Sequence, residues 1–262
     1  INKYDIVTDI KPGGTFLLNC QWDEKELDKH LPGQVKRYIA ENNIKFYTIN
    51  GVKIGKEIGL GNRINTVLQS AFFKLANIIP IDDAIKFMKD AATASYSKKG
   101  EAIVKMNHDA IDAGCQQVVE VKVPAKWKTA KDTKMGMAAV KCADKNLQDF
   151  VNNIQIPCNA QQGDNLPVST FVGMADGTFP QGSAAFEKRG IAVDVPSWNS
   201  DNCIQCNFCS YVCPHACIRP VVLTEEEAKN APEGTKYINM TGLNGLYFAM
   251  AVSVLDCTGC GS

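Results

Sequence analysis

The chain has 262 residues, and its 28 lysines and arginines are matched by 28 aspartates and glutamates, giving a formal net charge of zero. That length holds one large domain or two smaller ones, and the charge balance excludes nucleic-acid binding by bulk positive charge. No signal peptide is recognisable, and the most apolar stretch, residues 245–255, is too short to span a bilayer, so no membrane role is expected.

In chain order, residues 1–10 read as the tail of a helix, and Lys11-Pro12-Gly13-Gly14 as a turn. The apolar run from Thr15 to Cys20 predicts a buried strand. Asp23 caps a helix to about His30, Pro32-Gly33 breaks it, and a second helix carries Val35 to Glu41. Ile44 to Ile49 alternates as a strand does, so strand, helices and strand argue for an α/β layer. A long helix follows, with Val67, Leu68, Ala71, Phe72, Leu75, Ile78 and Ile79 on one face, and Pro80 ends it. Two more helices are expected, one capped by Asp82 with Ile81, Ile85, Met88, Ala92 and Ser95 in register. The other shows Ile103, Met106, Ala110 and Ala113 on its face. Residues 126–134, rich in lysine, read as a solvated connector, and a short helix is expected from Asp144 to Asn153. A Gly/Pro-rich stretch then runs to Pro196, with Ile191–Val195 as its clearest strand. Strands at Ile218–Leu223 and Tyr247–Leu255 flank a short helix begun by Thr224.

Six of the eleven cysteines fall into two motifs. Cys203, Cys206, Cys209 and Cys213 form C-x-x-C-x-x-C-x-x-x-C, closed by Pro214. This is the spacing of bacterial cubane iron–sulfur sites. Three thiolates two residues apart let one tight loop wrap three corners of a cube, and thiolate is the soft ligand such clusters select. Cys213 comes one residue too late for that loop and serves the other cluster in the two-cluster arrangement. The second motif, Asp256-Cys257-Thr258-Gly259-Cys260-Gly261-Ser262, supplies Cys257 and Cys260. Two [4Fe-4S] clusters are therefore expected, each with three of its four ligands within these residues. The competing reading is a structural zinc site, which favours two separated cysteine pairs rather than four cysteines in one short loop. Cys20, Cys115, Cys142, Cys158 and Cys217 are scattered without a disulfide pattern. Cys20 and Cys115 read as small core residues, and Cys217 as a bystander thiol near a cluster. Free thiols beside such a motif point to a reducing compartment. The chain opens at Ile1 and closes inside a ligand motif, as expected of a piece of a larger polypeptide.

The turn Gly59-Leu60-Gly61-Asn62-Arg63 precedes a helix, where backbone amides and the fork of Arg63 suit a phosphate; a plain helix start with a solvated arginine is the alternative. His30, His108 and His215 read as surface, capping or packing residues. No catalytic set of side chains is recognisable.

Phe186-Glu187-Lys188-Arg189-Gly190, with Gln162-Gly163-Asp164, Leu166-Pro167-Val168-Ser169, Asp176-Gly177-Thr178-Phe179-Pro180 and residues 192–198, resembles the Glu-Lys-Arg region of pyruvate:ferredoxin oxidoreductases. Upstream, Gly13-Gly14-Thr15-Phe16, Lys29-His30-Leu31-Pro32, Arg63-Ile64-Asn65 and residues 71–75 resemble the γ-type domain of the same family. The resemblance implies an α/β γ-type domain at 1–125, incomplete at its N-terminus, with a linker over 126–158. It further implies a small irregular α+β Glu-Lys-Arg domain at 159–197 and a truncated bacterial-ferredoxin-like α+β domain at 198–262. The implied parent enzyme converts pyruvate and coenzyme A to acetyl-CoA and CO2. This part would conduct electrons through the [4Fe-4S] clusters to ferredoxin or flavodoxin. Coenzyme A contact would fall at Gly61 and Arg63. Thiamine diphosphate and Mg would lie in other domains of the parent, itself a homodimer in the cytoplasm or a hydrogenosome-like organelle. Another 2-oxoacid oxidoreductase with the same modules, or a non-redox zinc-binding interaction module, are the alternatives.

Overall fold

The computed structural model describes residues 1–261, and it divides into two units, Ile1–Phe179 and Pro180–Ser262. Both mix helices with a small sheet. Ser262, the last residue of the second cysteine motif, lies outside the described residues. Among the described residues no helix is long and apolar enough to cross a membrane.

The first unit opens with β1 (Thr15–Asn19), α1 (Glu24–His30), α2 (Gly33–Glu41) and β2 (Lys45–Ile49). Asp23 starts α1 as expected. Its carboxylate accepts from the amides of Lys25 and Glu26, both at 2.8 Å, while Glu26 reaches back to the Asp23 amide. This reciprocal capping satisfies amides a helix start leaves orphaned. β1 and β2 pair in parallel, Thr15 opposite Lys45 and Asn19 opposite Ile49. The helical hairpin α1–α2 makes the crossover a parallel pair requires. β3 (Val119–Glu120) adds an antiparallel edge to β2, giving the order β1-β2-β3.

Between β2 and β3 lie α3 (Gly51–Ile58), α4 (Asn65–Ala76), α5 (Ile81–Tyr96) and α6 (Glu101–Gln116). The buried face of α4 is Val67, Ser70 and Ala71, whereas Phe72 is 52% exposed. α4 also ends earlier than expected, at Asn77 in the left-handed region. The face of α6 is likewise built from Asn107, Ala110, Ile111, Gly114 and Cys115. A Cβ on Gly114 would lie 2.3 Å from the Val67 carbonyl oxygen. The two helices approach backbone to backbone, which small residues permit and large apolar ones forbid. One core joins Leu27, Val35, Ile39, Phe46 and Trp127; a second joins Ile49, Ile54, Val67, Ala71 and Ala110.

Two expectations fail in this unit. Residues 1–10 form turns rather than a helix. The Asp5 carboxylate accepts from the Val7 amide at 2.9 Å and from the Thr8 hydroxyl at 2.5 Å, local bonds that compete with helical ones. The lysine-rich connector is not wholly solvated either: a 3-10 turn at Ala125–Thr129 drives Trp127 into the core, 1% exposed. Its indole N–H donates to Asp28 at 2.8 Å, and Lys126 donates to the other oxygen of that carboxylate. Those bonds hold the Asp28 carboxyl below the usual range. Farther on, Asp144 caps α7 (Lys145–Phe150), which runs through a π turn into α8 (Ile156–Asn159).

The second unit contains α9 (Phe208–Val212), β4 (Ile218–Thr224), α10 (Glu225–Lys229), β5 (Ile238–Asn239) and β6 (Leu246–Val252). The sheet is antiparallel in the order β4-β6-β5, with Ile218 opposite Val252 and Thr224 opposite Leu246. The segment inserted between the cysteine motifs thus forms α10 and the edge strand β5. Residues 191–195 are not a strand; Ile191 and Val193 stay exposed. Alternating apolar residues need a ladder to become a strand, and this segment is anchored instead at its start, where the Gly190 amide donates to the Leu255 carbonyl at 2.9 Å.

Candidate metal centre

The second unit carries both cysteine motifs. Cys203 follows the 3-10 turn Ser200–Asn202, Cys209 lies on α9, and Cys213 is the residue that ends α9. The loop between Cys203 and α9 takes left-handed backbone at Gln205 and Asn207, φ 59° at each. That curl turns the Gln205 amide onto Cys203 Sγ at 3.4 Å. The Gln205 side chain then fixes the loop, donating to the Asn239 carbonyl at 2.7 Å and accepting from the Thr241 amide at 2.9 Å. Cys206, Cys209 and Cys260 are exposed, Cys203 and Cys213 are half-buried, and Cys257 is buried.

The β4–β6 pairing brings the two motifs together. Cys217 stands at the head of β4, and its carbonyl accepts from the Ser253 amide at 2.7 Å, just past β6. Cys217 Sγ lies 3.4 Å from Cys213 Sγ and also bonds the Cys257 side chain. Cys213 and Cys257, forty-odd positions apart in sequence, therefore meet one thiol. The backbone amide of Ile218 lowers the Cys213 thiol to about 7, helped by Cys217 and its amide. Burial first, then the neighbouring Cys213 and Cys257, pushes Cys217 up to about 12.

The structure does not draw Cys203, Cys206 and Cys209 into one ligand set: among the described residues no three His, Cys, Asp or Glu side chains are arranged to hold a metal ion. The donors nonetheless suit a thiolate-ligated iron–sulfur group. All six motif residues are cysteines, His215 is exposed, and the curled 203–207 backbone aims an amide at sulfur.

A support for the second motif went unread in the sequence. Asp256, beside Cys257, accepts from Lys188 at 2.6 and 2.8 Å and from the Ser253 hydroxyl at 2.6 Å, and pairs with Arg219 at 3.7 Å. These bonds hold its carboxyl below the usual range, the Lys188 bond contributing most. The only sequence signal was an acid next to a motif cysteine and a Glu-Lys-Arg run of unassigned role. Cys217, which fits no spacing rule, reads in the sequence only as a bystander thiol near a cluster.

In the first unit, Gly61 and Arg63 lie exposed in the turn between α3 and α4. Gly59 ends α3 in the left-handed region at φ +93°, and α4 begins at Asn65 without a side-chain cap. The turn is therefore both an exit and an entry, and its amides at Leu60 and Arg63 are already bonded to the Gly55 and Leu60 carbonyls. His30 stacks on Trp22 at 4.6 Å, and His108 bonds Thr93 and the Lys89 carbonyl, so both are structural.

Three family models match the chain in succession. Pyruvate ferredoxin/flavodoxin oxidoreductase matches residues 1–117, the EKR domain of unknown function matches 138–192, and a 4Fe-4S binding domain matches 196–219. Across its whole length the chain is 49% identical to a pyruvate-flavodoxin oxidoreductase of Enterobacter agglomerans. It is 47% identical to one of Klebsiella pneumoniae and to a pyruvate:ferredoxin oxidoreductase of Moorella thermoacetica. Along its whole length the chain is thus similar to a segment of pyruvate ferredoxin/flavodoxin oxidoreductases. It spans 22% of the length of each of these curated relatives. Cys203, Cys206, Cys209, Cys213 and Cys217 all fall inside the 4Fe-4S match, while Cys257 and Cys260 lie beyond it. Lys188, which bonds Asp256, lies in the EKR match.

Proposed function

We propose that this chain is the electron-conducting segment of a pyruvate:ferredoxin or pyruvate:flavodoxin oxidoreductase. The parent enzyme takes pyruvate and coenzyme A to acetyl-CoA and CO2 and passes the electron pair to a ferredoxin or flavodoxin. Thiamine diphosphate and Mg act in other domains of a homodimeric parent. The observation that carries the reading is the ordered run of three matched regions ending on C-x-x-C-x-x-C-x-x-x-C-P. Cys203, Cys206 and Cys209 would hold one [4Fe-4S] cluster; Cys213, Cys257 and Cys260 would hold the other. The shared contact of Cys213 and Cys257 with Cys217 supports the crossed assignment. When bound, the clusters accept and release single electrons. The residues around them fix the sulfurs: Gln205 ties down the first loop, and Lys188 and Ser253 hold Asp256 beside Cys257.

The chain is read as a γ-type α/β domain at 1–125, a linker at 126–158, a small Glu-Lys-Arg domain at 159–197 and a ferredoxin-like region from 198 onward. Its exposed Arg63, at the uncapped start of α4, would meet a phosphate of coenzyme A. Anaerobic purification of the full-length protein tests the electron-conducting reading. Iron with equal acid-labile sulfide and absorption near 400 nm is expected; stoichiometric zinc in a colourless protein would sink it.

A further inference from the structure

Cys217 belongs to no ligand spacing, yet it sits where the two cysteine motifs meet. It is 3% exposed, as little as any motif cysteine. Its sulfur is 3.4 Å from that of Cys213 and bonds that of Cys257. Its backbone is held from both sides. The Ala216 amide donates to the Cys213 carbonyl at 3.2 Å, closing a turn with Ala216 at φ +49°, and the Ser253 amide donates to the Cys217 carbonyl at 2.7 Å. A small core residue would explain burial. It would not call for a thiol facing two other thiols in preference to alanine or valine.

We propose that Cys217 is a reserve ligand for the cluster that Cys213 and Cys257 hold, able to take the place of Cys213. The inference rests on the iron–sulfur reading above. A change of one side-chain torsion sweeps a cysteine sulfur by about 3 Å, comparable to the separation of the two sulfurs. In the exchange the iron loses its bond to Cys213 sulfur and gains one to Cys217 sulfur. The Cys217 thiol proton passes to water, and no oxidation state changes. Thiolate replaces thiolate, so the ligand field stays soft and the cluster survives.

The test is made on the full-length protein, purified anaerobically, by iron and sulfide analysis with EPR of the reduced state. Cys213→Ala should keep the wild-type iron and sulfide content while one EPR signal changes shape. Cys217→Ala should also keep full content. The double variant Cys213→Ala/Cys217→Ala should lose about four irons and four sulfides per chain. Loss of those irons from Cys213→Ala alone, with Cys217 present, overturns the proposal and leaves Cys217 a packing residue. Cys213→Ser repeats the comparison with less change in volume. Since a reserve ligand preserves the site, failure to obtain both Cys213 variants folded while Cys217→Ala folds also counts against it. Zinc without sulfide in the wild type would instead overturn the iron–sulfur reading itself.

Discussion

The two units reach stability by different means. In Ile1–Phe179 the buried residues form two hydrocarbon clusters, with Phe46, Trp127, Ile39, Ile49 and Val67 almost wholly enclosed. In Pro180–Ser262 the buried apolar residues are Cys217, Ala228, Phe248, Ala249, Met250 and Cys257, while Phe208, Tyr211, Ile204 and Leu255 stay exposed. A unit of about eighty residues is near the size at which hydrocarbon burial alone is marginal and a metal or disulfide staple is usual. Here two of the buried residues are thiols, one of them in a ligand motif. Under the iron–sulfur reading, the clusters complete the core of the second unit.

Removing the clusters should therefore break the comparison most visibly. Anaerobic treatment with an oxidant and a chelator should cost the amides of β4 and β6 their hydrogen-exchange protection, because metal binding and folding are one equilibrium. The amides of β1, β2 and α6 should keep theirs. Equal loss in both units would show that they do not differ as described. The next effect runs the other way. Trp127→Ala should destabilise the first unit by about 3–5 kcal/mol, the usual cost of emptying an aromatic site, while the iron content is unchanged. Denaturant unfolding and metal analysis of the same sample read both.

Arg63→Ala separates binding from stability within the first unit. Its exposed side chain should leave the unfolding midpoint where it is, while coenzyme A binding weakens by about 1–3 kcal/mol in calorimetry. Unchanged affinity would remove Arg63 from the site. The smallest effect is a pH dependence. Asp28 has its carboxyl lowered by Lys126 and Trp127, so the unfolded chain takes up its proton first. The stabilisation, about 1 kcal/mol for a partly exposed group, is complete above the ordinary carboxylate range. It is lost as pH falls through the lowered value. Asp28→Asn should flatten that part of the acid-unfolding curve; an unchanged slope would mean that other carboxylates set it.

Much of the first unit was legible because its signals are local. Asp23 and Asp144 start the helices their chemistry favours, as Thr224 does in the second unit, and the alternation of Ile44–Ile49 marks β2. The buried faces of α4 and α6 were not legible. Periodicity weights large apolar side chains, whereas this contact is made by Ser70, Gly114 and Cys115, with Ser70 donating to the Ile111 carbonyl. Trp127 was hidden by the lysines on either side, whose charge stays outside while the ring turns in. The cysteine motifs stand out in the sequence because cluster chemistry fixes such spacing, and the 4Fe-4S match over residues 196–219 takes in Cys203, Cys206, Cys209 and Cys213. Lys188–Asp256 was not legible, because the two residues are distant in sequence, and Cys217 read only as a thiol near a cluster because its contact with Cys257 spans the two motifs.

The β4–β6 register has a consequence for biogenesis. Cys213 leaves the ribosome roughly forty residues before Cys257, and at about 5–20 residues per second this is an interval on the order of 2–9 s. During it β4 has no β6 to pair with, and Cys213 and Cys217 lie in a nascent segment whose other sulfur ligands do not yet exist. Under the iron–sulfur reading, loading of that site waits until Cys257 and Cys260 have been made. A cell that makes this chain must keep those two thiols reduced until the last strand arrives.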